Sequence, residues 1–141
     1  MLELPARVYT EIVAHCLSGL PDEACGLIAG LADGRVSDCY PTRNAASSAK
    51  LYSVDPRDHL RAEREAEGKG TEIIGVFHSH THTDAYPSPT DVEQASTPLS
   101  NPQWHYVLVS LRDTDPVLRS YRIVDRRIEE EPVVVERQPG R

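Results

Sequence analysis

Apolar positions recur at helical spacing early in the chain and in short strand-like runs after it. Val8, Tyr9, Ile12, Val13, Cys16 and Leu17 share one helix face, with Arg7, Thr10, Glu11 and His15 opposite. His15 therefore reads as ordinary surface. Gly19 and Pro21 stop this helix. Residues 23–30 read as a buried strand, and Asp33-Gly34 offers a hairpin turn into a second strand over 35–40. A polar loop over 44–48 leads to a short strand near 51–54. Asp55 as N-cap and Pro56 in the first turn then open a helix that runs to about residue 67, ended by Gly68 and Gly70. The apolar run Ile73-Ile74-Gly75-Val76-Phe77 is a strand that leads into His78-Ser79-His80. Ser88-Pro89-Thr90-Asp91 starts a short helix to about residue 95. Strands over 105–110, 117–124 and roughly 128–135 finish the pattern, with turns at 113–116 and at Asp125-Arg126. The element order predicts one α/β domain with a mixed or antiparallel sheet, because hairpins are too frequent for a doubly wound one. The domain is expected over 1–137, with 138–141 a frayed tail.

Composition narrows the class. The 141 residues suit one domain with a real core, and 39% hydrophobic residues exclude a disordered chain. A net charge of −7 argues against nucleic acid or an anionic membrane as the main partner. No run of about 20 apolar residues is present to span a membrane. The N-terminus lacks the basic-then-apolar pattern of a secretory signal. Cys16, Cys25 and Cys39 are odd in number and have no CxxC spacing, so they read as reduced thiols in a cytoplasmic protein.

The chemistry concentrates at 78–91. In a strand, residues i and i+2 point the same way, so His78 and His80 can reach one point. Neutral imidazoles suit zinc and related metals, and Asp91 can add a third ligand. Three protein ligands leave a tetrahedral position for water, as in a catalytic zinc site. Each residue also has a plainer reading. The histidines suit a structural hydrogen-bonded pair. Ser88 to Asp91 has the form of a capping box with Pro at the first helical position. The two readings are compatible, because such a helix start aims Asp91 at the histidines with the Ser88 hydroxyl nearby. Glu23 by itself reads as a solvated strand end. His82 reads as solvated or substrate-facing, Asp84 as solvent-facing, and His59 and His105 as lacking metal-like neighbours. Cys25, within an apolar run, reads as a buried inert thiol rather than a nucleophile.

Taken together, Glu23, then His78-Ser79-His80, seven residues, Ser88, two residues and Asp91 resemble the JAMM (MPN+) metalloprotease signature. Pro21-Asp22-Glu23-Ala24-Cys25-Gly26-Leu27 is similar to that family's segment around its glutamate. The resemblance covers nearly the whole chain. It is closest to short bacterial members of the Mec+ type, with support from His105-Tyr106-Val107-Leu108-Val109-Ser110 and from Leu118-Arg119-Ser120-Tyr121-Arg122-Ile123-Val124-Asp125.

The resemblance implies a single JAMM/MPN-type domain, a mixed, curved β-sheet flanked by helices of the cytidine-deaminase-like kind. It implies one zinc ion with a bound water, held by His78, His80 and Asp91. Glu23 would hold the water and act as general base, and Ser88 would bind the oxyanion. His82 and Pro89 depart from the pattern and bear on local substrate contacts rather than on the metal set. The Mec+ type releases cysteine from the Gly-Gly C-terminus of a ubiquitin-like sulfur carrier protein (CysO type), in cysteine biosynthesis. A second reading is a JAMM isopeptidase or precursor-processing protease for another ubiquitin-like protein. A third is a non-catalytic MPN scaffold, which the intact ligand set with Glu23 and Ser88 argues against. The chain lacks room for the long insertions with which deubiquitinating members grip ubiquitin. The native metal and the choice between monomer and homodimer stay open, since the same ligands tolerate iron, cobalt or manganese.

Overall fold

A computed structural model describes residues 1–46, 48, 52–97 and 101–137. Its elements run β1 (Leu2–Pro5), α1 (Ala6–Ser18), β2 (Cys25–Gly30), β3 (Val36–Thr42), α2 (Pro56–Gly68), β4 (Glu72–His80), α3 (Pro89–Ala95), β5 (His105–Ser110), β6 (Val117–Val124), β7 (Arg127–Glu131) and β8 (Val133–Glu136). A six-stranded sheet has the order β3-β2-β4-β5-β6-β7. Only the β4–β5 pair in it is parallel; the other pairs are antiparallel. The expected mixed α/β sheet is therefore present.

Two faces of this sheet carry two cores. On one, α1 inserts Val8, Ile12 and Cys16, at four-residue spacing, against Ile28, Phe77, Val107 and Val109. On the other, Cys25, Leu27, Val76, Leu108 and Tyr121 pack with Ala62 of α2 and Ala95 of α3. The inner surface of α2 is small: Ala62 and Ala66 are buried. Its start is fixed by Asp55, which accepts hydrogen bonds from the Arg57 and Asp58 amides, with Pro56 in the first turn. The β6–β7 hairpin turns on Asp125 and Arg126, both at positive φ (50° and 63°), as a two-residue type I′ connection demands. No helix among the described residues is long and apolar enough to cross a membrane.

Four local expectations change. The strand expected over 128–135 is broken at Pro132 into β7, which closes the large sheet, and β8, which pairs in parallel with β1. The sequence pattern gave no warning of β1 itself, a four-residue strand whose partner lies at the other end of the chain. Over 51–54, the described residues form only an isolated bridge, Asn44 to Val54, and residue 51 lies outside the described set. His15 is not simple surface. It is half-buried, its Nε2 lies 3.0 Å from the Cys25 carbonyl and 3.2 Å from the Thr42 carbonyl, and its ring meets Phe77 edge-on. The tail over 138–141 lies outside the described residues.

A buried polar knot joins β5, β6 and β7. His105 Nδ1 lies 2.6 Å from Glu131 Oε2, and the Ser120 hydroxyl donates to the same oxygen at 2.7 Å. Burial pushes the Glu131 carboxyl up. The His105 and Ser120 hydrogen bonds outweigh it and bring the pKa down from 4.5 to about 2. A carboxylate depressed in the folded state stabilises above its unfolded pKa, and that stability is lost as pH falls through the folded value. Glu131→Gln should therefore cost about 1.5–3 kcal/mol at neutral pH, and the gap to wild type should close between pH 4.5 and about 2. Denaturant melts at stepped pH check this; a gap that stays constant into acid would mean that the charge of Glu131 contributes nothing.

Candidate active site

The site grows from the pairing of β2 with β4. Cys25 stands opposite His78 in an antiparallel ladder. Beyond the ladder, the Ser79 amide donates to the Ala24 carbonyl at 2.9 Å, and the Ala24 amide donates to Ser79 Oγ at 2.9 Å. Continuing this register sets Glu23 across from His80. Asn44 and the residue 48 backbone hold Glu23 from the other side: Asn44 Nδ2 donates to its carbonyl at 2.8 Å, and its amide donates to the Ser48 carbonyl at 2.7 Å. Glu23 is buried rather than a solvated strand end, at 6% exposure. Burial raises its carboxyl to about 7; the nearby His80 opposes that rise and the Asp91 charge adds to it.

His78, His80 and Asp91 converge. All three are buried, and their ligand atoms lie within 4.8 Å of one another. His80 Nδ1 donates to the Asp84 carbonyl at 2.8 Å, which turns Nε2 toward Asp91 Oδ2 at 2.9 Å. A backbone carbonyl on the far nitrogen is the usual way to fix the tautomer of a ligating histidine. His78 is held by stacking against Tyr52, with ring centroids 3.9 Å apart. Its Nε2 lies 3.2 Å from Asp91 Oδ1 yet is buried without a hydrogen bond. Burial drives His78 toward its neutral form. Burial also pulls on His80, but the Asp91 and Asp84 contacts win and raise its pKa. Asp91 is pushed up by burial and pulled further down by His78, His80 and the Ser88 amide, to well below the usual carboxylate range.

The start of α3 delivers the carboxylate. Ser88 Oγ accepts from the Asp91 amide at 3.1 Å, and Asp91 Oδ2 accepts from the Ser88 amide at 2.9 Å, a reciprocal capping box. The cap uses a lone pair of the Ser88 hydroxyl, so its O–H remains a donor. The capping box thus leaves Asp91 directed at both imidazoles and the Ser88 O–H outside the cap. His82 is exposed, as expected, and so is the Asp84 side chain, although its backbone orients His80. Cys25 is buried, with its thiol pushed up to about 11 by burial, and fits the inert reading. Tyr52 and the Asp84 carbonyl carried no sequence signal: the first lies 26 positions from the ring it stacks on, and the second acts through a backbone atom.

The donor set fits a cation. Two imidazole nitrogens and a carboxylate face one point, and a buried ring nitrogen there has no hydrogen bond. Two nitrogen donors and one oxygen donor suit zinc or a similar divalent ion.

Comparison with known proteins agrees with this geometry. Residues 5–124 match the family of prokaryotic homologs of the JAB domain. The chain is 42% identical over 140 residues to the CysO-cysteine peptidase of Mycobacterium tuberculosis (strain ATCC 25618 / H37Rv), covering 98% of this chain and 93% of that protein. It is 35% identical over 103 residues to the desampylase of Haloferax volcanii, covering 69% of this chain and 74% of the relative. A solution structure of a protein from Desulfitobacterium hafniense superposes with a TM-score of 0.87 at 34% identity, over 98% of this chain and 94% of that one. The chain belongs to the JAB (JAMM/MPN) family, near its Mec+ type, and is a JAMM-type peptidase.

Titrating metal-free protein with a divalent cation should raise its melting temperature, by mass action worth about 2.7 kcal/mol at a free concentration of 100 Kd. His78→Ala and His80→Ala should abolish the rise. A rise that survives in both variants would place the cation elsewhere.

Proposed function

We propose that the chain is a zinc peptidase that hydrolyses the amide between the C-terminal glycine of a ubiquitin-like sulfur carrier protein and cysteine, releasing cysteine for its biosynthesis. The observation that carries the reading is the buried His78, His80 and Asp91 cluster with Glu23 beside it, in a chain so similar to a CysO-cysteine peptidase along nearly its full length. One zinc ion held by His78, His80 and Asp91 would supply Lewis acidity and lower the pKa of water toward about 7.

The chain's own groups do the remaining work. Glu23, buried across from His80, takes the proton of the attacking water and passes it to the departing amine. The free O–H of Ser88 donates to the carbonyl oxygen as negative charge develops on it. Tyr52 and the Asp84 carbonyl keep the two imidazoles in place while this happens. The extended Gly-Gly tail of the carrier lies along the sheet. On this reading the chain works in the cytoplasm, where the buried thiols of Cys16, Cys25 and Cys39 stay reduced. The desampylase similarity supports a second substrate reading, an isopeptide or precursor of another ubiquitin-like protein.

Glu23→Gln should retain the metal and lose about 10²–10⁴ in turnover; near-normal rates would remove Glu23 from the role of base. Ser88→Ala should lose about 10²–10³ in kcat with metal still bound, and about 0.5–2 kcal/mol of stability through the lost cap. Loss of metal in step with loss of activity would make Ser88 a cap alone. Mass spectrometry of one mixture of the zinc-loaded protein with a carrier–cysteine conjugate and a carrier–lysine isopeptide separates the substrates. Chelator-sensitive release of cysteine alone supports the proposal, whereas cleavage of the isopeptide alone supports the second reading.

A further inference from the structure

A cavity of about 390 Å³ opens between the loop after β4 and the β5–β6 hairpin, with Asp84, Ser110, Arg112, Val117, Arg119 and Tyr121 in its wall, and Asp84, whose carbonyl holds His80, links it to the site. Strand register fixes its relation to the metal-ligand cluster. His78 pairs with Leu108 of β5, and Leu108 pairs with Arg119 of β6. His80 pairs with Ser110, and Ser110 with Val117. Paired residues point to the same face, so Arg119 stands in the row of His78, two strands away, on the side that carries the ligands. Two interstrand spacings put their Cα atoms about 10 Å apart.

Resting on the reading given under Proposed function, we propose that Arg119 binds the free α-carboxylate of the C-terminal amino acid that leaves the carrier. A carboxylate one residue beyond a carbonyl held at the cluster lies about 3.5 Å further along the chain. Arg119 is the cation of the cavity wall that stands in that row. Arg119 Nη1 donates to Glu130 Oε2 at 2.9 Å, from the adjacent strand. Glu130 sits on β7, on the far side of β6 from the cluster, so this half-exposed pair anchors one edge of the guanidinium and uses one of its five N–H groups; the others have no partner among the described residues. A planar fork held in this way suits a carboxylate in two-point contact.

Arg112 is the weaker candidate. Half exposed like Arg119, it lies past the end of β5 and outside the row of His78, with Nη2 3.5 Å from Asp113 in the following turn. Asp84, Asp113 and Asp115 around the cavity repel free anions. Arg119 therefore acts on a carboxylate delivered by the docked carrier, and the same charges favour departure of the product. The consequence is specificity. A substrate ending one residue past the scissile bond satisfies the guanidinium, while a lysine isopeptide or an amidated terminus does not.

The test compares kcat/KM of the zinc-loaded protein for a carrier–cysteine conjugate, the same conjugate ending in cysteinamide, and a carrier–lysine isopeptide. Wild type should prefer the acid to the amide by about 10–100-fold, the scale of a hydrogen bond to a charged group. In Arg119→Ala the ratio should fall to near one, mainly through KM on the acid, and Arg119→Lys should recover part of it. Equal cleavage of acid and amide by wild type, or a preference that survives in Arg119→Ala, would overturn the role of Arg119 while leaving the cysteine reading intact. Cleavage of the isopeptide but of neither cysteine conjugate would instead overturn that reading, and this one with it.

Discussion

The antiparallel pairing of β2 with β4 is the constraint from which the rest of the site follows. It sets Cys25 against His78 and, through the two Ala24–Ser79 hydrogen bonds, carries the register on to Glu23 and His80. A slip of one residue would turn both histidines to the α1 face, where Phe77 and Val107 now pack. Burial on both faces is what fixes the register: every residue from Ile74 or later in β4 is buried, and so is all of β2. The hydrophobic core thus places the polar site, although no core residue takes part in the chemistry.

The second constraint is economy at the start of α3. One capping box satisfies the first helical amides and also aims the Asp91 carboxylate, already held by a backbone amide, at the two imidazoles. A helix of seven residues has little stability of its own, so the cap and the contact of Ala95 with the core are what hold Asp91 in position. The loop between His80 and Asp91 is tied down in turn. His80 grips the Asp84 carbonyl, Ser110 Oγ donates to the Thr83 carbonyl at 2.6 Å, and the Tyr121 hydroxyl donates to the Ala85 carbonyl. Strands β5 and β6 therefore hold this loop and also form a wall of the cavity beside it.

Electrostatics separate the site from the rest of the interior. The Glu131 knot on the opposite face pairs its carboxylate with donors and holds it charged. At the site, Asp91 is also held charged, Glu23 is raised toward neutrality, and burial pushes His78 toward its neutral form with Nε2 facing Asp91 Oδ1 at 3.2 Å. Buried polar atoms without partners are costly in a folded protein. Two imidazoles and a carboxylate, all buried and with ligand atoms within 4.8 Å of one another, form a donor set that suits a cation.

Much of this was legible in the chain itself. The i, i+2 histidines, the Ser-Pro-Thr-Asp helix start and the apolar strand ahead of them specify their geometry locally, because strand alternation and helix capping act over two to four residues. Helices α1 and α2 and the strand pairs joined by short turns were readable for the same reason. What tertiary structure alone decided depends on partners far apart in sequence. The burial of Glu23, the stacking of Tyr52 on His78, the tethering of His15 to the sheet, the pairing of β1 with β8 after the break at Pro132, and the placing of Arg119 in the row of His78 all arise from strand order and register. Local patterns define which face a side chain takes on its own strand; only the assembled sheet decides which other side chains share it.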